Sequence, residues 1–442
     1  MATQYAIEGG TAREISASAE RAVAEGRLRP GESLPPVRAL AATLGVSPGT
    51  VATAYRELRG RGVVVTRGRG GTVVAPAAAA PSRRPPQVPE GLRNLAGGHP
   101  DPAFLPELVP PGRLTPYARS HRRSPRLPEL EELARAWFRR DGVPDEHVTF
   151  AHGALDAIAR LLSVELRPGD AVAVEDPGFH HLLDLVQTLG LRTLAVPVDD
   201  EGMRPEGLRA ALRGGARAVV TFPRAQIPYG SRVSRARREE LLEVLAGAPE
   251  VLVVEDDGTA RVAGGPLWSL TTAGERGPAR WAQVRTVSKS LGPDLRWTPM
   301  ACDATTLARH DARLLVTSGW ISHVLQETAL RLLADPATDA LMAAATAAYD
   351  ERREALIGAL AAYGVEAHGR SGLNVWVPVR DESAVVNGLR SRGWWVAAGA
   401  RFRIAAGPGV RITTAELAPA EALRLAADFA ASLTDTPGPY GD

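Results

Sequence analysis

From about residue 93 onward, the chain alternates short uninterrupted apolar runs with longer amphipathic segments. Residues 171–174, 218–220 and 251–254 are examples of the apolar runs. A strand that is apolar at every position is covered on both faces, and helices between such strands are typical of a parallel sheet. The pattern therefore predicts an α/β domain with a mostly parallel sheet. Ligands of such domains gather at the carboxyl ends of the strands.

Several predicted strands lead into turns that carry aromatic or polar residues. Phe179 follows the first run, and Asp256 follows the third. Each has an ordinary explanation too, since Phe179 suits core packing and Asp256 suits an exposed cap after a strand. Another strand, at 147–150, leads into Gly153 and then a helix. Free N–H groups at such a helix start are typical of a phosphate cradle, although many strand–helix units share the pattern.

The chain contains a single lysine, Lys289, among 52 basic residues. Arginine serves in ion pairs and phosphate contacts, but a Schiff base requires a primary amine that can lose its proton. The alternative is that one lysine survives by chance in an arginine-rich sequence. The neighbours favour function, because Thr286 and Ser288 precede the lysine and Arg296 follows it. Together they provide an amine, hydroxyls and a guanidinium, as an aldehyde cofactor bearing a phosphate would require.

The length and the composition of the chain exclude several classes of protein. A length of 442 residues predicts two or three domains. The single cysteine, Cys302, excludes a disulfide framework and a cysteine zinc site, so we predict no metal and a reducing, cytoplasmic location. The chain has no run of about 18 apolar residues, so no membrane span is predicted. The net charge of +2 is uneven, because residues 1–78 carry +4, which points to an anionic partner for this part.

The sequence of the N-terminal part predicts three helices and a β-hairpin. The first helix covers residues 11–26, the second covers 36–44, and the third has Ser47 as its cap and Pro48 in its first turn. Two short helices with a glycine between them form a helix-turn-helix pattern, whose second helix would enter a major groove N-terminus first. The strands of the hairpin flank an Arg/Gly tip at 67–71, which has the shape of a wing that reaches phosphate or the minor groove.

The stretch from Leu28 to Arg38, followed by Leu44-Gly-Val-Ser47 and Gly71-Thr-Val73, resembles the winged helix-turn-helix of the GntR family over most of residues 10–75. The resemblance implies that double-stranded operator DNA is the partner. The residues that it places at the DNA are Arg38, Ser47, Pro48, Gly49, Thr50, Arg67, Arg69 and Gly70. Pro48 and Gly49 carry no side-chain donor, so reading of base edges falls to Ser47, Thr50 and their neighbours. For the arginines the alternative is an ordinary solvated charge.

The stretch Ser288-Lys289-Ser-Leu-Gly-Pro293-Asp-Leu-Arg296 and the order of the strands resemble the fold-type I pyridoxal-phosphate aminotransferases over roughly 93–435. With the N-terminal part, the chain resembles the MocR subgroup of GntR regulators. The resemblance implies that Lys289 forms a Schiff base with pyridoxal 5'-phosphate. The other residues that it assigns to the cofactor are Gly153, Ala154, Leu155, Ser288 and Arg296 at the phosphate, Asp256 at the pyridine nitrogen, Phe179 on the ring and Gln226 near its phenolic edge.

The same resemblance implies a domain organisation. A winged-helix domain covers residues 1–76, a Pro/Ala-rich linker covers 77–92, and an aminotransferase-like domain covers 93–436. The large part of that domain lies at about 130–330, and a smaller α+β part consists of about 93–129 and 331–436. In the family an arginine near the last strand binds a substrate carboxylate. Arg411 fits best and Arg403 second, with a plain surface arginine as the alternative. A homodimer is expected.

The sequence also departs from the family. Gly258 stands where the family usually has a tyrosine that reaches the cofactor hydroxyl, and Ala225 stands where it tends to have a histidine. The segment around Tyr117 lacks the usual glycine.

Three hypotheses on function follow. The first is a transcription regulator that senses pyridoxal phosphate or its adduct with an amino compound. The second is an aminotransferase with an attached DNA-binding domain. The third is a regulator whose second domain has lost the cofactor.

Overall fold

The computed structural model describes residues 7–24, 27–29, 31–60, 63–66, 71–74, 88–108, 124–272 and 277–434. The chain divides into two compact units, Met1–Gln87 with Arg167–Gly169, and Val88–Leu166 with Asp170–Asp442. Most of the predicted linker, residues 77–87, lies outside the described residues. The domain boundaries given above therefore stay a prediction.

The first unit contains the three predicted helices, α1 (Ala12–Ala24), α2 (Val37–Leu44) and α3 (Pro48–Gly60). Their apolar faces meet in one core, built from residues spaced at helical intervals. Its fully buried members include Ile15, Leu40, Val51 and Leu58. Helix α2 ends at Gly45, whose φ of 68° is left-handed and therefore favours glycine at the tight turn into α3.

Strands β1 (Val64–Thr66) and β2 (Thr72–Val74) form the predicted antiparallel hairpin of the first unit. Val64 pairs with Val74, and both side chains are buried in the helical core. Three residues predicted to contact DNA at the tip, namely Arg67, Arg69 and Gly70, lie outside the described residues.

The second unit alternates strands and helices as the apolar pattern predicts. Its strands are β3 (Arg93–Asn94), β4 (Val148–Ala151), β5 (Ala171–Asp176), β6 (Arg192–Asp199), β7 (Gly202–Met203), β8 (Ala216–Thr221), β9 (Leu252–Asp256), β10 (Arg280–Val284), β11 (Thr298–Cys302), β12 (Asn374–Pro378), β13 (Trp394–Trp395), β14 (Ala397–Ala398) and β15 (Gly409–Thr413). Its helices are α4 (Pro128–Arg140), α5 (Ala154–Glu165), α6 (His180–Thr188), α7 (Pro205–Arg213), α8 (Arg235–Leu245), α9 (Ala304–Thr317), α10 (His323–Ala334), α11 (Pro336–Ala361), α12 (Glu382–Ser391) and α13 (Pro419–Thr434).

Eight strands form the large sheet in the order β4-β11-β10-β9-β8-β5-β6-β7. The five central strands, from β10 to β6, are parallel, while β11, β4 and β7 pair antiparallel at the edges. Strands β5 and β9 are buried along their whole length because helices cover both faces of the sheet. The predicted α/β class with a mostly parallel sheet is confirmed.

The smaller part of the second unit is α+β, as predicted. Strands β12, β15 and β14 form an antiparallel sheet, and β3 pairs with β13 in a separate two-stranded sheet. Helices α11, α12 and α13 pack on these strands around a core that includes Leu356, Val375, Ile412 and Phe429. The pairing of β3 with β13 brings the segment after β3 next to β15, where Arg411 lies. Among the described residues, no helix is long and apolar enough to cross a membrane.

Candidate functional site

A cavity of about 230 Å³ opens in the second unit at the carboxyl ends of β5, β8 and β9. Parallel strands bring their ends to one edge of a sheet, so residues that are distant in sequence meet there. Eight residues predicted for the site line this cavity. They are Ala154, Leu155, Phe179, Asp256, Ser288, Lys289, Arg296 and Arg411.

One end of the cavity is formed by the first turn of α5. This helix starts at Ala154 without a side-chain cap, so its first N–H groups stay directed at the cavity. The preceding Gly153 has a φ of 131°, and a Cβ there would overlap the guanidinium of Arg296. Only glycine permits this approach of Arg296 to the helix start. The Ser288 hydroxyl is hydrogen-bonded to Thr286 at 2.7 Å and lines the same end. These groups together suit an anion.

Lys289 reaches the cavity from the turn after β10. Its Nζ donates a hydrogen bond of 2.6 Å to the carbonyl oxygen of Gly98. Burial, with Arg411 nearby, lowers the pKa of Lys289 to about 8, and Asp256 opposes that shift. An amine with this pKa carries a useful neutral fraction near neutral pH, which nucleophilic attack requires.

Asp256 is the last residue of β9 and is buried at the cavity wall. Among the described residues, its Oδ1 atom has no hydrogen-bond partner. Burial raises the pKa of Asp256 to about 7, and the charges of Asp257 and Glu175 add to this effect. Burial likewise raises the pKa of Glu175 to about 7. Within the described part of the chain, the site therefore presents a buried carboxyl oxygen that has no hydrogen-bond donor.

Arg411 lies on β15 and is buried. It donates a hydrogen bond to the carbonyl oxygen of Ala96, and its guanidinium lies 4.8 Å from the centre of the Phe402 ring. Burial and then the charge of Arg401 lower the pKa of Arg411. Its buried Nε has no hydrogen-bond partner among the described residues, so the guanidinium can bind a carboxylate ligand.

Arg403, the second choice for the carboxylate, lies elsewhere. Its Nε is 3.4 Å from a carboxylate oxygen of Glu382, and its Nη1 donates to the carbonyl oxygen of Ala406. It does not line the described part of the cavity.

The side chain of Gln226 also makes its hydrogen bonds away from the cavity. Its side-chain amide donates to the carbonyl oxygen of Pro177 at 2.8 Å and accepts from the backbone N–H of Tyr229 at 2.8 Å. The buried amide thus fixes the turn after β8, and the structure does not bring it to the described cavity lining. Phe179 does reach the cavity, where it packs edge-on against Phe222 at 6.0 Å.

Sequence reasoning missed several cavity residues. Gly98 and His99, after β3, face Lys289 and Arg411, and burial together with those two cations lowers the pKa of His99. Arg224 lines the cavity and binds the buried Asp257 through two hydrogen bonds. No sequence signal separated Arg224 from the other arginines. The alternative of an exposed strand cap for Asp256 is wrong, because Asp256 and the adjacent Asp257 are both buried.

Two of the three departures from the family lie at the site. Gly258 lines the cavity, and a Cβ there would lie 3.1 Å from Oδ1 of Asp256. Ala225 has a positive φ of 50° and packs against Gly372, where a Cβ would overlap it. The Tyr117 segment lies outside the described residues.

In the first unit, the predicted DNA-contacting residues lie at the start of α3 and on α2. Ser47 caps α3 by accepting the N–H of Thr50 at 3.1 Å, and the two hydroxyls are 2.9 Å apart. Pro48, Gly49 and Arg38 are exposed. The first turn of α3 is thus free to enter a groove, which is the geometry of a recognition helix.

Two known families match this chain. Residues 11–74 match the bacterial regulatory proteins of the gntR family, and residues 122–429 match aminotransferase class I and II. The vitamin B6 salvage pathway transcriptional repressor PtsJ of Salmonella typhimurium is 39% identical over 429 residues, which cover 96% of this chain and 98% of PtsJ. The pyridoxine biosynthesis transcriptional regulator PdxR of Corynebacterium glutamicum is 31% identical over 319 residues, 69% of this chain and 67% of PdxR.

Solved structures share the fold of the second unit. Kynurenine aminotransferase of Pyrococcus horikoshii superposes with a TM-score of 0.70 at 23% identity, covering 78% of this chain and 91% of that enzyme. Aspartate aminotransferase of Thermus thermophilus gives a TM-score of 0.64 at 22% identity, covering 77% and 92%. At this identity the likeness concerns the fold, and it confirms the predicted fold-type I architecture.

Proposed function

Because this chain belongs to the MocR subgroup of the GntR family, in which a GntR helix-turn-helix is joined to an aminotransferase class I and II domain, we propose that it regulates transcription in response to pyridoxal 5'-phosphate or its adduct with an amino compound. The first unit binds operator DNA, and the second is the sensor. The names of PtsJ and PdxR refer to vitamin B6 salvage and pyridoxine biosynthesis, which supports a vitamin B6 compound as the effector.

One observation carries this proposal. The only lysine of the chain and a buried carboxyl group with an unpartnered oxygen, Lys289 and Asp256, face the same cavity. A pyridoxal compound has an aldehyde that requires an amine and a ring nitrogen that requires a carboxylate. Its phosphate requires a cradle, and the uncapped start of α5 with Arg296 at Gly153 provides one. The residues present therefore fit the cofactor.

The protein's own residues have distinct tasks in this site. When bound, the cofactor supplies an electrophilic carbon and an electron-withdrawing ring. Lys289 would provide the attaching amine, and Asp256 would hold the ring nitrogen and keep it protonated. Ser288, Arg296 and the first turn of α5 would hold the phosphate. Phe179 would cover one face of the ring.

The position of Arg411 supports the proposal that the effector contains a carboxylate. Its guanidinium lies in the cavity with Lys289, and the carbonyl of Ala96 is a weaker partner for it than a carboxylate. A ligand changes the state of a regulator only through its different affinity for the two states. An amino compound that binds Arg411 and displaces the amine of Lys289 would bind the two states with different affinities.

The proposal that the first unit binds operator DNA rests on α3. Its exposed first turn, with the hydroxyls of Ser47 and Thr50, suits the major groove. We expect a homodimer in the cytoplasm, since two-fold symmetry would match two half-sites in the operator.

The experiment that tests the sensor is visible absorption of the purified full chain with added pyridoxal 5'-phosphate, for the wild type and Lys289→Ala. An absorption band in the wild type that is lost in the variant supports the site. Absence of a band in both would favour the third hypothesis, a second unit without cofactor. Selection of bound sequences from random double-stranded DNA, with and without pyridoxal 5'-phosphate, tests regulation separately.

The presence of Lys289, Asp256 and Arg411 in one cavity also favours the second hypothesis, an aminotransferase. Gly258 and Ala225 count against it, because the family's tyrosine and histidine are missing there. Sustained transamination of common amino acids, abolished in Lys289→Ala, would establish an enzyme. Binding without turnover would leave the regulator.

A further inference from the structure

Next to Asp256 in the chain, Asp257 belongs to a group of four charged side chains, three of which are buried. The group consists of Arg224, Asp257, Arg285 and Asp141. Arg224 binds Asp257 in bidentate geometry, with Nε to Oδ1 at 2.8 Å and Nη2 to Oδ2 at 2.8 Å. The exposed fraction of the side chain is 6% for Arg224 and 0% for Asp257. Arg224 also lines the cavity.

Arg285 is the second arginine of the group. Its Nε is 3.5 Å from Oδ2 of Asp257, and its Nη2 is 2.9 Å from Asp141. It is fully buried, with its guanidinium 4.6 Å from the centre of the Phe138 ring. Two arginines thus share two aspartates, and the group is neutral as a whole. Neutral balance is required, because an uncompensated charge at this depth is costly.

The position of the group next to Asp256 gives it a function. Asp257 follows Asp256 directly, and a charged Asp257 opposes ionisation of Asp256. Glu175 acts in the same direction, and Lys289 acts in the opposite one. To hold a protonated ring nitrogen, Asp256 must be a carboxylate. The arginines that neutralise Asp257 therefore favour the charged form of Asp256 that the cofactor needs.

We propose that Arg224, supported by Arg285, is a positioning residue that neutralises Asp257 and thereby keeps Asp256 able to hold the cofactor ring. This inference rests on the proposed function, since it presumes that pyridoxal 5'-phosphate binds in the cavity. It adds that the charge of Arg224, rather than contact with the cofactor, determines how tightly the cofactor is held.

The test is the affinity of the full chain for pyridoxal 5'-phosphate, followed by its visible absorption band, in three variants. Arg224→Gln leaves Asp257 with only Arg285, so we expect affinity to fall about tenfold or more. Arg224→Lys keeps the charge but loses the bidentate geometry, so we expect affinity to fall by less than about tenfold. The double variant Arg224→Gln/Asp257→Asn removes both charges, and we expect its affinity to return to within about threefold of the wild type.

Arg237→Gln is the matched control, because Arg237 holds Asp199 in a bidentate pair of 2.9 Å and 2.9 Å that does not line the cavity. We expect it to leave cofactor affinity unchanged. A double variant and an Arg224→Lys variant that both bind about tenfold or more weakly than the wild type would overturn the inference, since shape or direct contact would then matter. These two variants carry the test even if Arg224→Gln does not fold. A wild type without the band would instead contradict the proposed function itself.

Discussion

Nζ of Lys289 donates a hydrogen bond of 2.6 Å to the backbone carbonyl oxygen of Gly98, a residue 191 positions earlier in the chain. The hydrogen-bond partner of this amine is thus a carbonyl rather than a carboxylate. Gly98 has a φ of 67°, and a Cβ there would lie 3.1 Å from Nη1 of Arg411, so the glycine allows the segment to approach both cations. Buried beside a second cation and held by a neutral acceptor, the amine loses its proton more readily than an ordinary lysine.

The first prediction concerns the pH dependence of cofactor attachment. Because the neutral amine is the reactive form and the pKa of Lys289 is lowered to about 8, the attachment rate should rise with pH up to about 8 and then level off. Stopped-flow absorption with pyridoxal 5'-phosphate measures this rate. A rate that keeps rising toward the ordinary lysine value of 10.5 would show that the amine is not perturbed.

The second prediction concerns stability of the cofactor-free protein. The pKa of Asp256 is higher in the folded protein, about 7, than its usual 3.8, so the folded state holds its proton more strongly. The contribution of Asp256 to stability is therefore present below about pH 4 and is lost as the pH rises toward 7. We expect Asp256→Asn to raise the free energy of unfolding by about 1–3 kcal/mol at pH 8 and to change it little at pH 4. Urea unfolding at the two pH values measures this.

Asp156→Asn provides a control of opposite sign. Although burial opposes the shift, hydrogen bonds from Arg160 and from the backbone N–H of His152 lower the pKa of Asp156. Its stabilising effect is present above the usual pKa, so the asparagine variant should be less stable than the wild type at pH 8. If both variants shifted stability in the same direction, the buried environment assigned to Asp256 would be wrong.

The fold could be predicted well from the sequence because its signals are local. Continuous apolar runs specified buried parallel strands, and the caps at Gly45 and Ser47 marked the helix-turn-helix. The lysine could be found because its chemistry is not replaceable by arginine. Its cavity partners at strand ends followed from the topology of a parallel sheet.

The other features of the site depended on contacts that no local sequence pattern reveals. Arg224 is one of many arginines, and only the fold brings it to Asp257 and Arg285. Gln226 matched a family position, but the structure uses its amide inside a turn. His99 reaches the cavity because β3 pairs with β13, which joins segments about 300 residues apart. Side-chain direction and long-range pairing are properties of the folded chain.

The third prediction concerns the role of Arg411 in effector choice. If its guanidinium binds a carboxylate, the cofactor-loaded wild type should show a spectral change with L-alanine at a much lower concentration than with ethylamine, which lacks the carboxylate. We expect Arg411→Ala to weaken the response to L-alanine by about 100-fold and to change the response to ethylamine little. Arg403→Ala is the control, since Arg403 pairs with Glu382 outside the described cavity lining. Equal responses of the wild type to both amines would remove Arg411 from this role.

The fourth prediction concerns DNA binding by the first unit. Arg38 is exposed on α2, the helix that precedes α3 in the helix-turn-helix, and a phosphate contact from it would fix the recognition helix on the duplex. We expect Arg38→Ala to weaken binding to a selected operator about tenfold and to reduce the slope of log affinity against log salt by about 1. Arg21→Ala is the matched control, because Arg21 is an exposed arginine on α1 and carries the same charge. Fluorescence anisotropy at several salt concentrations measures both effects, and an unchanged slope for Arg38→Ala, or an equal loss in the two variants, would show that α2 does not lie at the phosphates.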